Sequence, residues 1–170
     1  YDKFHPDADR IFQVGLNGKI GGQDIRVSNT CPPMAEALVT DIPEVEGATR
    51  IAAMFGQPVV RNGEKIFSEE KVFYVDSNFF DFFGYRLREG DIKTVLKEPN
   101  SIVLTEMIAL KYFGEENPIG KLLVIGNENK TFKVTGLAEN PPTNSHFSYN
   151  ILVSAVSSER LKGGIWLNNF

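Results

Sequence analysis

The sequence predicts an α+β fold, and three observations carry that expectation. Residues 99–136 read in turn as a strand (Ile102-Val103-Leu104), a helix, a tight turn and a hairpin. A second helical stripe, Met34, Ala35, Leu38 and Val39, stands well apart from it. Between them, Asn62-Gly63 separates Val59-Val60-Arg61 from Lys65-Ile66-Phe67, a strong local hairpin signal. With 170 residues and 42% hydrophobic content, the chain is long enough to bury a core as one domain or two small lobes.

Taken in order, residues 1–10 are polar and aromatic, with no initiator Met and no targeting pattern, so the sequence reads as a piece of a longer protein. Ile11-Phe12-Gln13-Val14 is expected to be a strand, and the glycines that follow it (Gly15, Gly18, Gly21, Gly22) suit turns. They are not a dinucleotide fingerprint, because Ile25-Arg26-Val27 continues as extended chain where a helix N-terminus would be needed. Asn29 or Thr30 is expected to cap the first helix, with Pro32 and Pro33 in its first turn and Pro43 ending it. That helix should lie on a sheet.

Residues 45–55, with Thr49, Ile51 and Ala53 in phase, are expected as a strand running toward Val59-Val60, and Val72-Phe73-Tyr74-Val75 as another. Asp76 or Ser77 then caps a short helix whose Phe79, Phe80, Phe82 and Phe83 pack inward. Tyr85 and Leu87 lead to a turn at Glu89-Gly90-Asp91, and residues 92–96 make one or two helical turns. In the next helix Thr105 is the expected N-cap and Gly114 the expected C-cap, and Met107 and Leu110, joined by Ile108 and the stem of Lys111, recur at helical spacing. Residues 141–145 form a loop, residues 150–154 a strand, and residues 163–170 are apolar enough to begin one more.

Composition excludes several function classes. A net charge of −4 with dispersed Lys and Arg argues against nucleic acid. The single cysteine, Cys31, has no second thiol for a disulfide or zinc set and no convergent histidine for a catalytic thiol. No apolar run approaches the roughly 18 residues of a membrane helix.

The candidate chemical groups read as structural. His5 with Asp7 and Asp9 lacks any metal-ligand spacing. His146 beside Ser145 would point away from it in extended chain. Gly120-Lys121 fails the phosphate-loop pattern, since Leu122 follows where Ser or Thr is required. The pairs Asp76 with Asp81 and Glu115 with Glu116 look like caps and solvated positions. No catalytic, cofactor-binding or metal-binding residue is therefore assigned, and partner-contact residues stay unknown. Most phenylalanines read as core. Phe147, Tyr149, Trp166 and Phe170 are left either as an exposed partner patch or as residues awaiting a covering element.

Five short motifs in order carry a resemblance: Tyr74-Val75-Asp76-Ser77-Asn78-Phe79-Phe80, Pro99-Asn100-Ser101-Ile102-Val103-Leu104-Thr105-Glu106, Lys111-Tyr112-Phe113-Gly114, Asn117-Pro118-Ile119-Gly120-Lys121 and Val134-Thr135-Gly136. Together they resemble the MacB-like periplasmic core domain of FtsX-type ABC transporter permeases, in a version common in Bacteroidetes, and the likeness runs over nearly the whole chain. Residues 1–11 are similar to the segment that follows the first membrane helix in those permeases.

The resemblance implies a porter-like, ferredoxin-like lobe (residues 1–75 and 157–170) with an inserted Sabre-like lobe (residues 76–156). The last strand and helix of the porter-like lobe are expected to be lacking. It also implies a non-enzymatic periplasmic domain that relays ATP-driven motion of flanking membrane helices. Implied partners are a cognate ABC ATPase, those helices, a second permease copy, and a periplasmic adaptor or lipoprotein. Both chain ends should then lie together, facing the membrane. A free-standing ligand-binding module, which needs an apolar pocket of several hundred Å³, is the alternative.

Overall fold

The structure, a computed structural model, describes residues 7–142, 144–145 and 147–162. After a single 3-10 turn at Ala8–Arg10, β1 (Leu16–Ile20) and β2 (Gln23–Val27) form a separate antiparallel hairpin closed by Gly21-Gly22. Both glycines have positive φ (59° and 84°), as a two-residue turn matching strand twist requires. This turn fixes the register Leu16 to Val27, and the chain bends away at Ser28. Residues 11–14 are left beyond the last paired position, so the strand expected there does not form.

α1 (Met34–Asp41) starts later than an Asn29 or Thr30 cap would allow. Residues preceding proline avoid the helical region, and Cys31 and Pro32 both precede one, so Pro33 becomes the N-cap. No residue of α1 is buried, so the helix does not seal onto the sheet as its stripe predicts. The long strand expected over 45–55 shrinks to β3 (Ile51–Ala53). β4 (Val59–Asn62) and β5 (Lys65–Ser68) form the expected hairpin, but its loop is Gly63-Glu64, one position later, because Asn62 pairs with Lys65. β6 (Val72–Val75) leads to α2 (Phe79–Phe83), whose N-cap is Asn78, not Asp76 or Ser77; the Asp76 carboxylate is engaged by Arg50.

β7 (Leu87–Glu89) is a three-residue strand that the sequence does not announce, and residues 92–96 make a single turn anchored by Val95 N donating to Asp91 O. β8 (Ser101–Thr105), α3 (Glu106–Phe113), β9 (Leu122–Ile125), β10 (Lys130–Ala138) and β11 (Ile151–Ser154) follow. The chain then passes through a 3-10 turn, Ala155–Ser157, into α4 (Glu159–Lys162).

Nine strands make one mixed sheet in the order β3-β6-β11-β8-β10-β9-β4-β5, with β7 paired to β10. β8 runs parallel to β10, with α3 and β9 in the crossover, and β6 runs parallel to β11. Alternation divides the sheet between two cores. Ile102, Leu104, Ile151 and Val153 face α3, while Val103 and Leu152 face α2. All five β8 residues are buried, as expected for a central strand covered on both faces.

The expected caps of α3 are present: Thr105 Oγ1 accepts from Ile108 N, and Gly114 N donates to Leu110 O. Its buried face matches the expected one only at Ile108. Ile108, Ala109, Tyr112 and Phe113 turn inward while Met107 and Leu110 are exposed. Two apolar stripes compete on this helix, and the one carrying two aromatic rings buries more area.

On the opposite face Phe79 is the hub of an aromatic cluster. Its ring lies 5.6 Å from Tyr85 in a stacked pair and within 5.8 Å of Phe147 and Tyr149. Tyr149 is therefore a core residue and the half-buried Phe147 packs against that core, so these two do not form an exposed patch; Trp166 and Phe170 lie outside the described residues. β10 bulges between Val134 and Gly136. A side chain at Gly136 would place its Cβ 2.9 Å from Val95 Cγ1 and 3.1 Å from Val103 Cγ2. Glycine is what allows the 92–96 turn to sit this close to the sheet.

Candidate functional site

Two open hollows among the described residues differ in character. A cleft of about 580 Å³ lies between α1 and one end of the sheet; Leu96, Ala155 and Val156 contribute apolar surface and Arg50, Asp76 and Lys97 polar surface. A smaller hollow of about 410 Å³ lies at the C-terminal end of α3, beside Asn62, Lys65 and Lys121.

Sheet register builds the centre of the first cleft. Ile51 of β3 pairs with Val75 of β6 in antiparallel register. The residues just outside that pair, Arg50 and Asp76, are thereby brought face to face. Asp76 N donates to Arg50 O at 3.3 Å, and Arg50 N donates to Asp76 Oδ2 at 2.8 Å. The side chains close the same ladder: Arg50 Nε donates to Asp76 Oδ2 at 3.0 Å and Nη2 to Oδ1 at 2.8 Å. A bidentate guanidinium-carboxylate pair of this kind is directional as well as attractive. The Asp76 carboxylate raises the guanidinium pKa further, against the opposing effect of burial.

Arg50 has one more nitrogen to use. Nη1 donates to Pro32 O at 3.3 Å and to Leu161 O at 3.1 Å. One side chain thus joins the loop entering α1, the end of β6 and the outgoing α4. Asp76 is itself held from the other side, since Phe79 N donates to Asp76 O at 3.1 Å and ties it to the aromatic hub. Asn78 Nδ2 adds a bond to Ala48 O at 2.9 Å.

The smaller hollow belongs to a second polar cluster. Glu69 is 3% exposed, yet it is a carboxylate. It accepts from Lys111 Nζ and from Tyr112 Oη, each at 2.6 Å. Lys111 also lies 4.3 Å from the centre of the Phe67 ring. Burial and the Glu69 carboxylate push the Tyr112 phenol pKa up. Lys65 Nζ and Asn62 Nδ2 both donate to Tyr112 O at the helix end. These contacts fix β4 and β5 to α3.

The groups weighed from sequence do not converge. Asp76 serves Arg50, whereas Asp81 is exposed on α2. Glu115 is exposed, and Glu116 pairs with Lys121, which holds its carboxyl below the usual range. Lys121 also lies 5.2 Å from the Phe113 ring centre, while Gly120, with φ of 81°, donates its N–H to Val134 O. The Gly-Lys pair is therefore a turn followed by an ion pair. Cys31 is buried and free. His5 and His146 lie outside the described residues, and among the described residues no three His, Cys, Asp or Glu side chains are grouped to hold a metal.

Sequence reasoning passed over Arg50 and Glu69. Asp76 is 26 positions from Arg50, and Lys111 and Tyr112 are 42 and 43 from Glu69, and no local pattern announces such pairings. The one available signal for Arg50 was a lone charge inside Ala48-Thr49-Arg50-Ile51-Ala52-Ala53, a segment with little else that is polar.

The family profile described as the MacB-like periplasmic core domain matches residues 1–168. The chain belongs to this family. A domain of a protein described as a permease from Porphyromonas gingivalis shares its fold with a TM-score of 0.73 and 24% identity; the match covers 86% of this chain and 62% of that one. The periplasmic region of MacB from Actinobacillus actinomycetemcomitans matches with a TM-score of 0.65 and 21% identity, over 88% of this chain and 68% of that one. The extracellular domain of the noncanonic ABC-type transporter YknZ from Gram-positive bacteria matches with a TM-score of 0.50 and 17% identity, over 72% and 63%. No protein in the curated set matches the sequence. The chain is thus an α+β domain of the MacB-like periplasmic core family and shares the fold of these permease and transporter domains. No described helix is long and apolar enough to cross a membrane.

Proposed function

We propose that this domain is a mechanical relay: membrane helices flanking it move when a separate cytoplasmic ATPase hydrolyses ATP, and the domain carries that motion to a substrate or partner outside the membrane. The observation that carries this reading is the Arg50 fork, which joins the incoming loop at Pro32 and the outgoing α4 at Leu161 to one end of a nine-stranded sheet. A relay needs a stiff body attached to levers, and a sheet covered on both faces by packed aromatic and aliphatic side chains is stiff. On this reading the domain has no catalysis of its own. Its partners are the cognate ATPase, the permease's own helices, a second permease copy, and a periplasmic adaptor or lipoprotein.

Residues 1–75 and 157–170 would be the porter-like part and residues 76–156 the Sabre-like part. β3 to β6 of the first are hydrogen-bonded into the same sheet as the second, which suits two parts that transmit force to each other. The ligand-binding alternative rests on the 580 Å³ cleft. Its mixed charged lining, with the Arg50 donors directed to protein acceptors, favours the relay.

The test is hydrogen exchange on the membrane-embedded permease with its ATPase. Under turnover, exchange should change in residues 31–42 and 155–162, and an ATPase unable to hydrolyse ATP should abolish the change. Exchange across the domain that ignores nucleotide refutes the relay. A ligand that raises the melting temperature in proportion to log concentration, with no nucleotide response, favours the alternative.

A further inference from the structure

α1 and α4 share an unusual property: neither has a single buried residue. Burial of apolar side chains, which fixes most helices in place, is weak for both. One guanidinium reaches both of them from the sheet, while α4 is also touched through Arg160, which lies 4.8 Å from the centre of the Phe55 ring. Nη1 of Arg50 holds Pro32 O, just ahead of α1, and Leu161 O within α4, while Nε and Nη2 hold Asp76.

We propose that Arg50 makes the positions of α1 and α4 depend on each other, so that a displacement of the outgoing segment at α4 shifts α1 and changes the width of the cleft between them. The inference rests on the relay reading and names the residue that does the coupling. The planar fork is what the task requires. Five donors in fixed directions let one side chain hold a carboxylate and two carbonyls at once, with the carboxylate end anchored to β6 and the aromatic hub. A lysine at the same place keeps the charge pair with Asp76 but has one compact ammonium, and it cannot span Pro32 O and Leu161 O together. Arg50 is a positioning residue, and its mark is a coupling between two distant segments.

The experiment is a double-mutant cycle read by hydrogen exchange on the 170-residue chain, with wild type, Arg50→Lys, Leu161→Pro and the double variant. Proline at 161 removes the N–H that Leu161 donates to Ser158 O and displaces the carbonyl that Arg50 holds. With Arg50 present, Leu161→Pro should speed exchange of the α1 amides about tenfold. In the Arg50→Lys background α1 is already loosened, and the same proline should add less than about twofold. Amides of β8, β10 and β11 should stay protected throughout and report that the fold is intact. Truncation after Ser158 provides an independent perturbation of the same end and should give the same pattern.

The proposal is overturned if Leu161→Pro and the truncation leave α1 exchange unchanged, or speed it by the same factor with and without Arg50. Coupling in the chain with no nucleotide response in the full permease sinks the relay alone. A nucleotide response with no coupling sinks this inference alone.

Discussion

Replacing Asp76 by Asn tests how much of the domain's stability sits in the contact between β3, β6 and the cleft. The carboxylate accepts from Arg50 N, Nε and Nη2, all at 3.2 Å or less. Asparagine keeps one oxygen, which in the place of Oδ2 can still accept from Arg50 N and Nε without its charge, while the amide group turns a donor toward Nη2. Hydrogen bonds to charged groups contribute about 1.5 to 3 kcal/mol each where buried. The pair is not fully buried: the Arg50 and Asp76 side chains keep 32% and 21% of their exposure, so water screens part of the attraction. A net loss of about 2 kcal/mol is expected, which for a chain of this size lowers the melting temperature by about 4 to 8 °C. Chemical denaturation followed by the aromatic cluster would measure it, with Asp76→Ala losing more because Arg50 N then also lacks its side-chain acceptor. Losses below about 0.5 kcal/mol for both variants would show that the ladder is held by the backbone alone, refuting the weight placed on this pair.

Other positions give outcomes of different sign. Tyr112→Phe should cost about 1.5 kcal/mol in urea unfolding, because it strips a hydrogen bond from the buried Glu69 carboxylate. Tyr149→Phe should be neutral or stabilising in the same assay, since the buried Tyr149 hydroxyl finds no hydrogen-bond partner among the described residues. Burial raises the pKa of both phenols, so the folded state keeps protons that the unfolded chain gives up above about pH 10. That part of the stability is fully present below about pH 10 and falls above it by about 1.4 kcal/mol per pH unit for each tyrosine, a slope that Tyr149→Phe should reduce in alkaline titration. Gly136→Ala should cost about 2 kcal/mol through its collision with Val95 and Val103, and Val95→Ala in the same chain should recover part of it, measured as a cycle of melting curves.

Much of the fold was legible in short-range pattern. The strand, cap and helix over Ile102, Thr105 and Gly114 follow from β-branched residues, one hydroxyl and one glycine acting within a few positions of each other. The hairpin at Gly63 was placed to within one residue for the same reason. The failures have a common origin. Which apolar stripe of α3 faces inward, and whether Phe147 and Tyr149 are covered, depend on what packs against them from distant parts of the chain. The α+β class and the family likeness came from local motifs read in order.

The Arg50 site was not legible in that way. Residues 50 and 76 each look like ordinary polar positions beside a strand, and nothing local marks them as a pair. They meet because β3 and β6 pair antiparallel in a register that places Ile51 opposite Val75. Sequence by itself determined the elements, since propensity, capping and turn chemistry act over a few residues. Tertiary structure alone decided the site, since strand register and the fork's reach to Pro32 and Leu161 are set by contacts across the whole chain.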